Sequence, residues 1–298
     1  MELGYACLNL TLPSQFRTCR LATMRQEGMA KIKELTLHNI AQVEAMLSFN
    51  EQHQIRFLRL SSDIVPFATH PEMNWEWAKD EEVLERLALI KTKKKEQGLR
   101  FSMHPGQYTV LNSPREQVVE NAKLDLGYHS QLLDLVGGTD IIIHTGGAYG
   151  DKEKAKKTFV EVYQTLPDDV KEKIRLENDD KTFHTRDVLD IHHQSGVTIC
   201  FDIHHERCFH TEEDDLKTLY AEVAKTWKMK PKVHISSGKD STSDPRHRDY
   251  IELADFQVLK RVLGDIDTDV MLEAKAKEKA LLSLRQQVLE TEGKNDGN

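Results

Sequence analysis

The segment Asp140-Ile-Ile-Ile-His144-Thr145 predicts a β-strand. Its three consecutive isoleucines are β-branched, which favours a strand, and the glycine pair at 137 and 138 lies just before it, where a helix should stop. Amphipathic helical patterns occupy residues 116–136 before this segment and residues 152–166 after it. A strand between two such helices is the unit from which α/β proteins are built.

The same unit recurs along the chain. Further strands are predicted at residues 3–10, 55–62, 99–104, 174–178, 198–204, 232–236 and 269–274, and further helices at 29–54, 81–97, 185–194, 212–227 and 253–263. Eight strands that alternate with helices imply parallel pairing, and eight is the number that closes a barrel. We therefore predict a TIM (β/α)8 barrel, a single domain over residues 1–280, with a helix end and polar tail over 281–298. An open doubly wound sheet is the alternative, but it normally has a glycine-rich loop after its first strand, unlike Asn9-Leu-Thr-Leu-Pro13.

The composition excludes several classes of protein. The 298 residues are 39% hydrophobic and 30% charged, which is typical of a chain that buries a core and not of a disordered one. No stretch approaches the roughly 18 to 20 apolar residues of a membrane span, and the first residues do not resemble a secretory signal. The four cysteines form no CxxC pair and suit a reducing compartment, so we expect a cytoplasmic protein. The 14 histidines suggest a metal site.

The predicted strand ends carry an unusual set of polar residues. In a parallel barrel these ends converge on one mouth, where the chemistry of such enzymes is found. Six side chains from six strands would be difficult to bury there without a positive charge to neutralise them. Imidazole and carboxylate together suit Zn²⁺ or Mn²⁺, and clustered ions can activate water at a phosphoryl centre. The spacing therefore predicts hydrolysis of a phosphate ester by two or three divalent ions, with ligands from strand ends and following loops at His104, His144, Glu177, Asp202, His205, His234, His247 and Glu273.

The order of several motifs resembles the UV-damage endonuclease (UVDE) family. They run from residue 5 to about residue 275 and are Tyr5-Ala-Cys-Leu-Asn9, His104-Pro-Gly-Gln107-Tyr108, Ile-Ile-Ile-His144, Leu-Glu177-Asn-Asp, Phe-Asp202-Ile-His-His205, Lys232-Val-His234-Ile-Ser, His247-Arg-Asp-Tyr-Ile and Met-Leu-Glu273-Ala-Lys. The resemblance implies a TIM barrel related to endonuclease IV. It also implies a centre of two or three divalent ions that favours Mn²⁺, with Zn²⁺ or Mg²⁺ possible, and no nucleotide cofactor. The implied substrate is damaged double-stranded DNA, nicked immediately 5′ to UV photoproducts to leave a 3′-hydroxyl, with no membrane and no obligate protein partner.

The resemblance also implies how the ligands are shared. His104, His144 and Glu177 match the ligands of one ion, and His205 with His247 match those of a third. The ligands of the second ion match Glu177, which bridges, together with Asp202, His234 and Glu273.

Two further residues match groups that assist catalysis in the family. Lys232 lies two residues before His234 on the same strand, so its side chain should share a face with that histidine. It matches a carboxylated lysine that assists the metals, and an ordinary salt-bridged lysine is the alternative. His70 matches a histidine near the scissile phosphate, for which the alternative is a simple loop histidine.

Residues that would contact DNA are implied in two places. Gln107 and Tyr108 follow a Pro-Gly turn and match a pair that is wedged into the duplex at the lesion. This role is physically reasonable because a crosslinked pyrimidine dimer stacks poorly and costs less to extrude than normal bases. Tyr5 and Asn9 match contacts on the lesion side, although Tyr5 fits a core position equally well.

The net charge of -8 is a poor match to a nucleic-acid binder, because phosphate neutralisation normally needs Lys and Arg. Bound metal ions would add positive charge at the mouth, and the first 33 residues carry five basic against two acidic side chains. Three alternatives remain. They are an abasic-site endonuclease of the endonuclease IV type, a metal-dependent sugar isomerase and a metal-binding module without catalysis.

Overall fold

The computed structural model describes residues 1–209 and 215–295 of the chain. Its parallel strands form a closed barrel in sequence order, with Leu3 of the first strand opposite Val270 of the last. The strands are β1 (Leu3–Ala6), β2 (Phe57–Leu60), β3 (Arg100–Met103), β4 (Asp140–His144), β5 (Ile174–Glu177), β6 (Thr198–Asp202), β7 (Lys232–Ile235) and β8 (Asp269–Leu272). This architecture confirms the predicted TIM barrel.

Helices cover the outside of the barrel. In the described ranges they are α1 (Leu21–Gln52), α2 (Glu81–Glu96), α3 (Glu116–Val136), α4 (Lys152–Gln164), α5 (Asp168–Lys171), α6 (Thr185–Ser195), α7 (Ile203–Cys208), α8 (Leu216–Ala224), α9 (Leu253–Leu263) and α10 (Lys277–Asn295). Their apolar faces pack on the strands, as Leu126 and Leu133 of α3 show, since both are fully buried. No helix among the described residues has the length and apolar character needed to cross a membrane.

Two predicted strands were too long. The predicted strand 3–10 ends at Ala6, because Cys7 adopts a left-handed φ of 67° and turns the chain out of the sheet. The predicted strand 198–204 ends at Asp202, and α7 begins directly after it. The Asp202 carboxylate accepts a hydrogen bond from the His205 amide at 2.8 Å and so caps this short helix.

Helix ends also differ from the prediction. Helix α1 includes a first segment from Leu21 that the sequence did not predict. At Gly28 the backbone leaves the helical region, with φ 73° and ψ -167°, and the chain is helical again from Met29, the predicted start. The predicted helix 212–227 appears as α8 from Leu216, and residues 210–214 lie outside the described part of the chain. The predicted C-terminal tail is helical as far as Asn295, and residues 296–298 are again outside the described part.

The inside of the barrel is filled in layers. In the middle layer Phe57 packs with Ala6 and Met271. A β-carbon at Gly4 would lie 2.7 Å from the Phe57 ring, so the glycine leaves the space that this ring occupies. The strand starts below this layer and the strand ends above it both bury charged side chains. The chemistry-bearing side chains are those at the strand ends.

Candidate metal centre

Glu177, the last residue of β5, lies at the centre of the barrel mouth. Its side chain is 1% exposed and contacts imidazoles from three other strands or strand ends. Oε2 lies 3.1 Å from His104 Nε2 and 3.4 Å from His144 Nε2. Oε1 lies 2.5 Å from Nδ1 of His234 on β7. One carboxylate is therefore surrounded by donor atoms of the type that bind divalent metals.

Three groups of potential ligands share this carboxylate. In each group one donor atom per residue lies within 4.8 Å of the others. The groups are His104 with His144 and Glu177, Glu177 with His234 and Glu273, and Glu177 with Asp202 and His205. The structure thus brings together seven of the eight ligands predicted from the sequence.

His247 is placed differently from the other seven. It lies in the loop between β7 and α9, where an antiparallel bridge joins it to Gly238. Its ring centroid is 6.4 Å from that of His205 and 5.6 Å from that of His204, and it joins none of the three groups found among the described residues. Asp202 groups with His205, whereas the resemblance had assigned it with His234 and Glu273.

The carboxylates of the mouth favour positive charge at His205, whereas burial lowers the pKa of His144 and of His234. Burial lowers the pKa of His205, but the carboxylates of Asp202 and Glu177 outweigh burial and raise this pKa to about 9. Burial also acts to raise the pKa of Glu177, yet the neighbouring His234 and His144 hold it well below its usual value. The centre therefore keeps a buried carboxylate ionised and draws a proton to a buried imidazole. A divalent cation would provide the same compensation.

The donor atoms fit such a cation. Asp202 Oδ2 and His234 Nε2 are buried and have no hydrogen-bond partner within the described residues. Leaving such atoms unpaired is costly, and coordination of a metal is one way in which proteins satisfy them. The set of carboxylate and imidazole without thiolate is compatible with Mn²⁺, Zn²⁺ or Mg²⁺.

Lys232 lies one layer below the ligands, at the start of β7. It is fully buried, and its Nζ is 5.5 Å from the centroid of the Phe57 ring. Burial lowers the pKa of this amine to about 8. Nζ has no hydrogen-bond partner in the described part of the chain, so the structure does not show the salt-bridged lysine that was the alternative.

Three other predicted residues lie outside the ligand groups. His70 is half-buried in the loop after β2, where its Nδ1 accepts a hydrogen bond from the Glu72 amide at 3.2 Å. Tyr5 is fully buried and donates to Asn50 Oδ1 at 2.9 Å, so it occupies the core position that the sequence had left open. Asn9 is 2% exposed and organises its own loop, because its side-chain oxygen accepts from the amide of Thr11 at 3.0 Å. The side chains of Tyr5 and Asn9 are therefore both buried in this structure.

Gln107 and Tyr108 are exposed at the mouth, and the Tyr108 side chain is 82% accessible. They line a cavity of about 610 Å³ that reaches His144 and His205. The predicted DNA-contacting pair and the ligand cluster therefore face one shared space.

Sequence reasoning missed four residues that hold the ligands in place. Arg59 forms an ion pair with Glu273, and His129 Nε2 bonds to Ser62, whose hydroxyl donates to the His104 carbonyl at 3.5 Å. Asn178 exchanges two hydrogen bonds with the Asp202 backbone, and its carbonyl lies 2.9 Å from His205 Nδ1. The sequence did contain a signal for Arg59. It lies two residues before Ser61, the residue at the predicted strand end, and residues two apart along a strand point to the same side.

Comparisons with known proteins agree with this geometry. The model of the family UV-endonuclease UvdE matches residues 1–296. A UV DNA damage endonuclease from Bacillus velezensis is 37% identical over 275 residues, which cover 89% of this chain and 84% of the relative. The crystal structure of SacUVDE superposes with a TM-score of 0.90 at 31% identity and covers 98% of this chain and 99% of its own.

A more distant structure shares the fold alone. Endonuclease IV from Thermus thermophilus superposes with a TM-score of 0.58 at 16% identity, over 84% of this chain and 95% of its own. The match of the family model along nearly the whole length, together with the 37% identical relative, shows that this chain belongs to the UV-endonuclease UvdE family.

Proposed function

We propose that this protein is a UV DNA damage endonuclease. It hydrolyses the phosphodiester bond immediately 5′ to UV photoproducts in duplex DNA and leaves a 3′-hydroxyl. The observation that carries the proposal is the position of Glu177, which contributes to all three ligand groups at the mouth of a barrel whose family is established. Damaged double-stranded DNA is the substrate, and the reaction needs no nucleotide cofactor.

The reaction depends on two or three divalent ions, with Mn²⁺ favoured. When bound, the ions supply an activated water and stabilise charge on the phosphate. His104, His144, Glu177, Asp202, His205, His234 and Glu273 hold them, and His247 becomes a ligand if its loop moves toward His205. Asn178 fixes His205, because its carbonyl lies 2.9 Å from His205 Nδ1 and leaves Nε2 available as a ligand.

Three residues assist the ligands without belonging to the ligand groups. Lys232 is a buried amine directly below His234, and its lowered pKa of about 8 makes the neutral form accessible near neutral pH. His70 contacts the phosphate that is cut, from the loop after β2. Arg59 holds Glu273 in place through its guanidinium.

Gln107 and Tyr108 read the lesion. Both side chains extend into solvent at the mouth, so they are free to enter a duplex. A dimer is weakly stacked, and a pair inserted in its place stabilises the extruded state. The shared cavity connects that position with the ligands.

The decisive experiment uses end-labelled duplexes that carry one cyclobutane dimer, one abasic site or no damage. The metal-free protein and the Mn²⁺-loaded protein are incubated with each duplex, and the products are sized. We expect cleavage directly 5′ to the dimer with Mn²⁺ only. Cleavage restricted to the abasic duplex would favour the endonuclease IV type of activity, and no cleavage of any duplex would favour a non-catalytic metal-binding protein.

A further inference from the structure

The loop between β4 and α4 presents a second aromatic side chain to the mouth. Its sequence is Thr145-Gly-Gly-Ala-Tyr149-Gly, and the Tyr149 side chain is 53% exposed. Tyr149 lines the same cavity as Tyr108 and the ligands His144 and His205. An exposed aromatic residue that borders a cavity can stack on a flat ring.

The backbone at Tyr149 has an uncommon conformation. Its φ is +49°, in the left-handed region that residues other than glycine seldom occupy. Such conformations persist where the surrounding structure holds them, and they concentrate at functional sites. The neighbouring loop residues provide this restraint.

Asn112 connects the loop of Tyr149 to the loop of Tyr108. Asn112 follows Tyr108 in the β3–α3 loop and is 2% exposed, and its Nδ2 donates to the Gly147 carbonyl at 2.9 Å. A β-carbon at Gly146 would lie 2.1 Å from Asn112 Oδ1, and one at Gly147 would lie 3.0 Å from the Tyr149 ring. Only glycines let the two loops approach this closely and let the Tyr149 ring lie over the chain.

The cavity between the two tyrosines suits a nucleotide. Its volume of about 610 Å³ lies within the usual range of roughly 300 to 1,000 Å³ for small-molecule sites. Arg115 and Lys181 line it and can contact a phosphate, although Asp179 and Asp180 line it too, and Tyr149 supplies an aromatic face. The two ligands at its inner end place any bound nucleotide next to the metal centre.

We infer that Tyr149 binds substrate directly by stacking on a nucleobase that leaves the duplex and enters this cavity. The inference rests on the proposed function and adds a specific contact to it. In this arrangement Tyr149 holds the displaced base, while Gln107 and Tyr108 occupy the position that the base has left in the duplex. Asn112 is a positioning residue, since it fixes the loop that carries Tyr149.

The test compares Tyr149→Ala, Tyr149→Phe and Tyr149→Asn with the parent protein. Single-turnover cleavage of the dimer duplex is measured at increasing protein concentration, and binding to undamaged duplex is measured by anisotropy at the same salt. We expect Tyr149→Ala to raise the half-saturating concentration about tenfold or more, because stacking on one base contributes on that scale. The maximal rate and the binding to undamaged duplex should change much less, and Tyr149→Phe should behave as the parent does.

Tyr149→Asn separates stacking from folding. Asparagine tolerates a left-handed φ, so this variant should melt at the parent's temperature or above it and still bind the dimer duplex weakly. Leu89→Ala is the control, because Leu89 is an apolar side chain of α2 that is 59% exposed and does not line the cavity.

Three outcomes overturn the inference. One is parental half-saturation in Tyr149→Ala, and another is an equal loss on damaged and undamaged duplex. The third is an equal loss in Leu89→Ala. If the parent itself does not cleave the dimer duplex, the proposed function fails and the inference fails with it, whereas the first three outcomes leave the proposed function intact.

Discussion

The two ends of the barrel both bury charged side chains, but only one end neutralises them with its own residues. At the strand starts, Asp140 is fully buried between two arginines, with Arg100 Nη2 at 2.8 Å and Arg175 Nε at 2.9 Å. Asp269 pairs with Arg100 at 3.1 Å. Both guanidinium groups lie over the Trp227 ring, at 5.3 Å and 5.0 Å from its centroid. Two carboxylates and two arginines therefore balance one another in charge.

The strand ends contain the opposite arrangement. Glu177, Asp202 and Glu273 bring three carboxylates together, and Arg59 is the guanidinium that pairs with them in the described part of the chain. Buried donor atoms remain without partners at Asp202 and His234. A network that is balanced in charge stabilises the fold, and an excess of carboxylates leaves room for cations. The difference between the two ends thus separates residues that hold the barrel together from residues that we propose to act on a substrate.

The largest effect should come from Glu177→Gln. The variant keeps the volume of the side chain but removes the charge shared by all three ligand groups. Metal at a phosphoryl centre contributes several kcal/mol, and each 1.4 kcal/mol is a factor of ten, so cleavage should fall by at least about a hundredfold. Cleavage rate and metal content by elemental analysis are the measurements. Parental turnover in this variant would contradict the assignment of the centre.

Asp140→Asn should have the second-largest effect, and on stability instead of activity. Removing one partner from a buried ion pair leaves the other charge unpaired and typically costs about 3 to 5 kcal/mol. We expect that loss in the free energy of unfolding by denaturant, with metal content per folded molecule unchanged.

Asp267→Asn is the matched control for this variant, because Asp267 also pairs with basic groups but is 67% exposed. Its effect on unfolding should be much smaller. If Asp140→Asn and Asp267→Asn lowered the free energy of unfolding equally, the buried network at the strand starts would contribute no more to stability than an exposed ion pair does.

The sequence was sufficient for the barrel and for placing seven of the eight proposed ligands at one mouth, because both depend on local patterns. Each strand is a short apolar run, and its final polar residue must face the common mouth in any parallel barrel. The strand-start network was not foreseen, since Arg100 and Asp269 are 169 residues apart and no local pattern couples them. The pairing of Arg59 with Glu273 spans 214 residues and escaped prediction for the same reason. Strand ends at Ala6 and Asp202 depend on a left-handed backbone angle and a helix cap, which periodicity does not report.

As the pH falls, the strand ends should lose their metal before the ion pairs at the strand starts lose their stabilising effect. Burial opposes ionisation of Asp140, but Arg100 and Arg175 outweigh it and lower its pKa. Because the folded pKa lies below the unfolded value of about 3.9, its stabilising contribution is complete above that pH and is lost as the pH falls through the folded value. Ligand histidines must be neutral to bind metal, so the metal should leave earlier, between about pH 8 and 5.

Metal content and far-UV circular dichroism, followed over the same pH series, give the order of the two events. A flat metal content from pH 8 to 5 would contradict histidine ligation. Unfolding that coincides with metal loss would mean that the two ends are not independent.

The smallest effect should come from the exposed rim above the metal centre, in the double variant Gln107→Ala/Tyr108→Ala. Neither residue belongs to the ligand groups, and the Tyr108 side chain is 82% exposed, so metal content and unfolding should stay at parental values. Stacking of one aromatic on a base is worth roughly 1 to 3 kcal/mol, and 1.4 kcal/mol is a factor of ten, so affinity for the dimer duplex should fall about tenfold or more.

Affinity for undamaged duplex should barely change, since that binding comes from phosphate contacts. A mismatch beside the dimer should restore part of the loss, because it lowers the cost of unstacking that the pair normally offsets. Binding of damaged, mismatched and undamaged duplexes at fixed salt measures all three effects. Equal losses on damaged and undamaged DNA would show that the pair only maintains its loop. Other residues of the cavity would then recognise the lesion. Gln107 and Tyr108 would have a structural role, as the charged residues at the strand starts do.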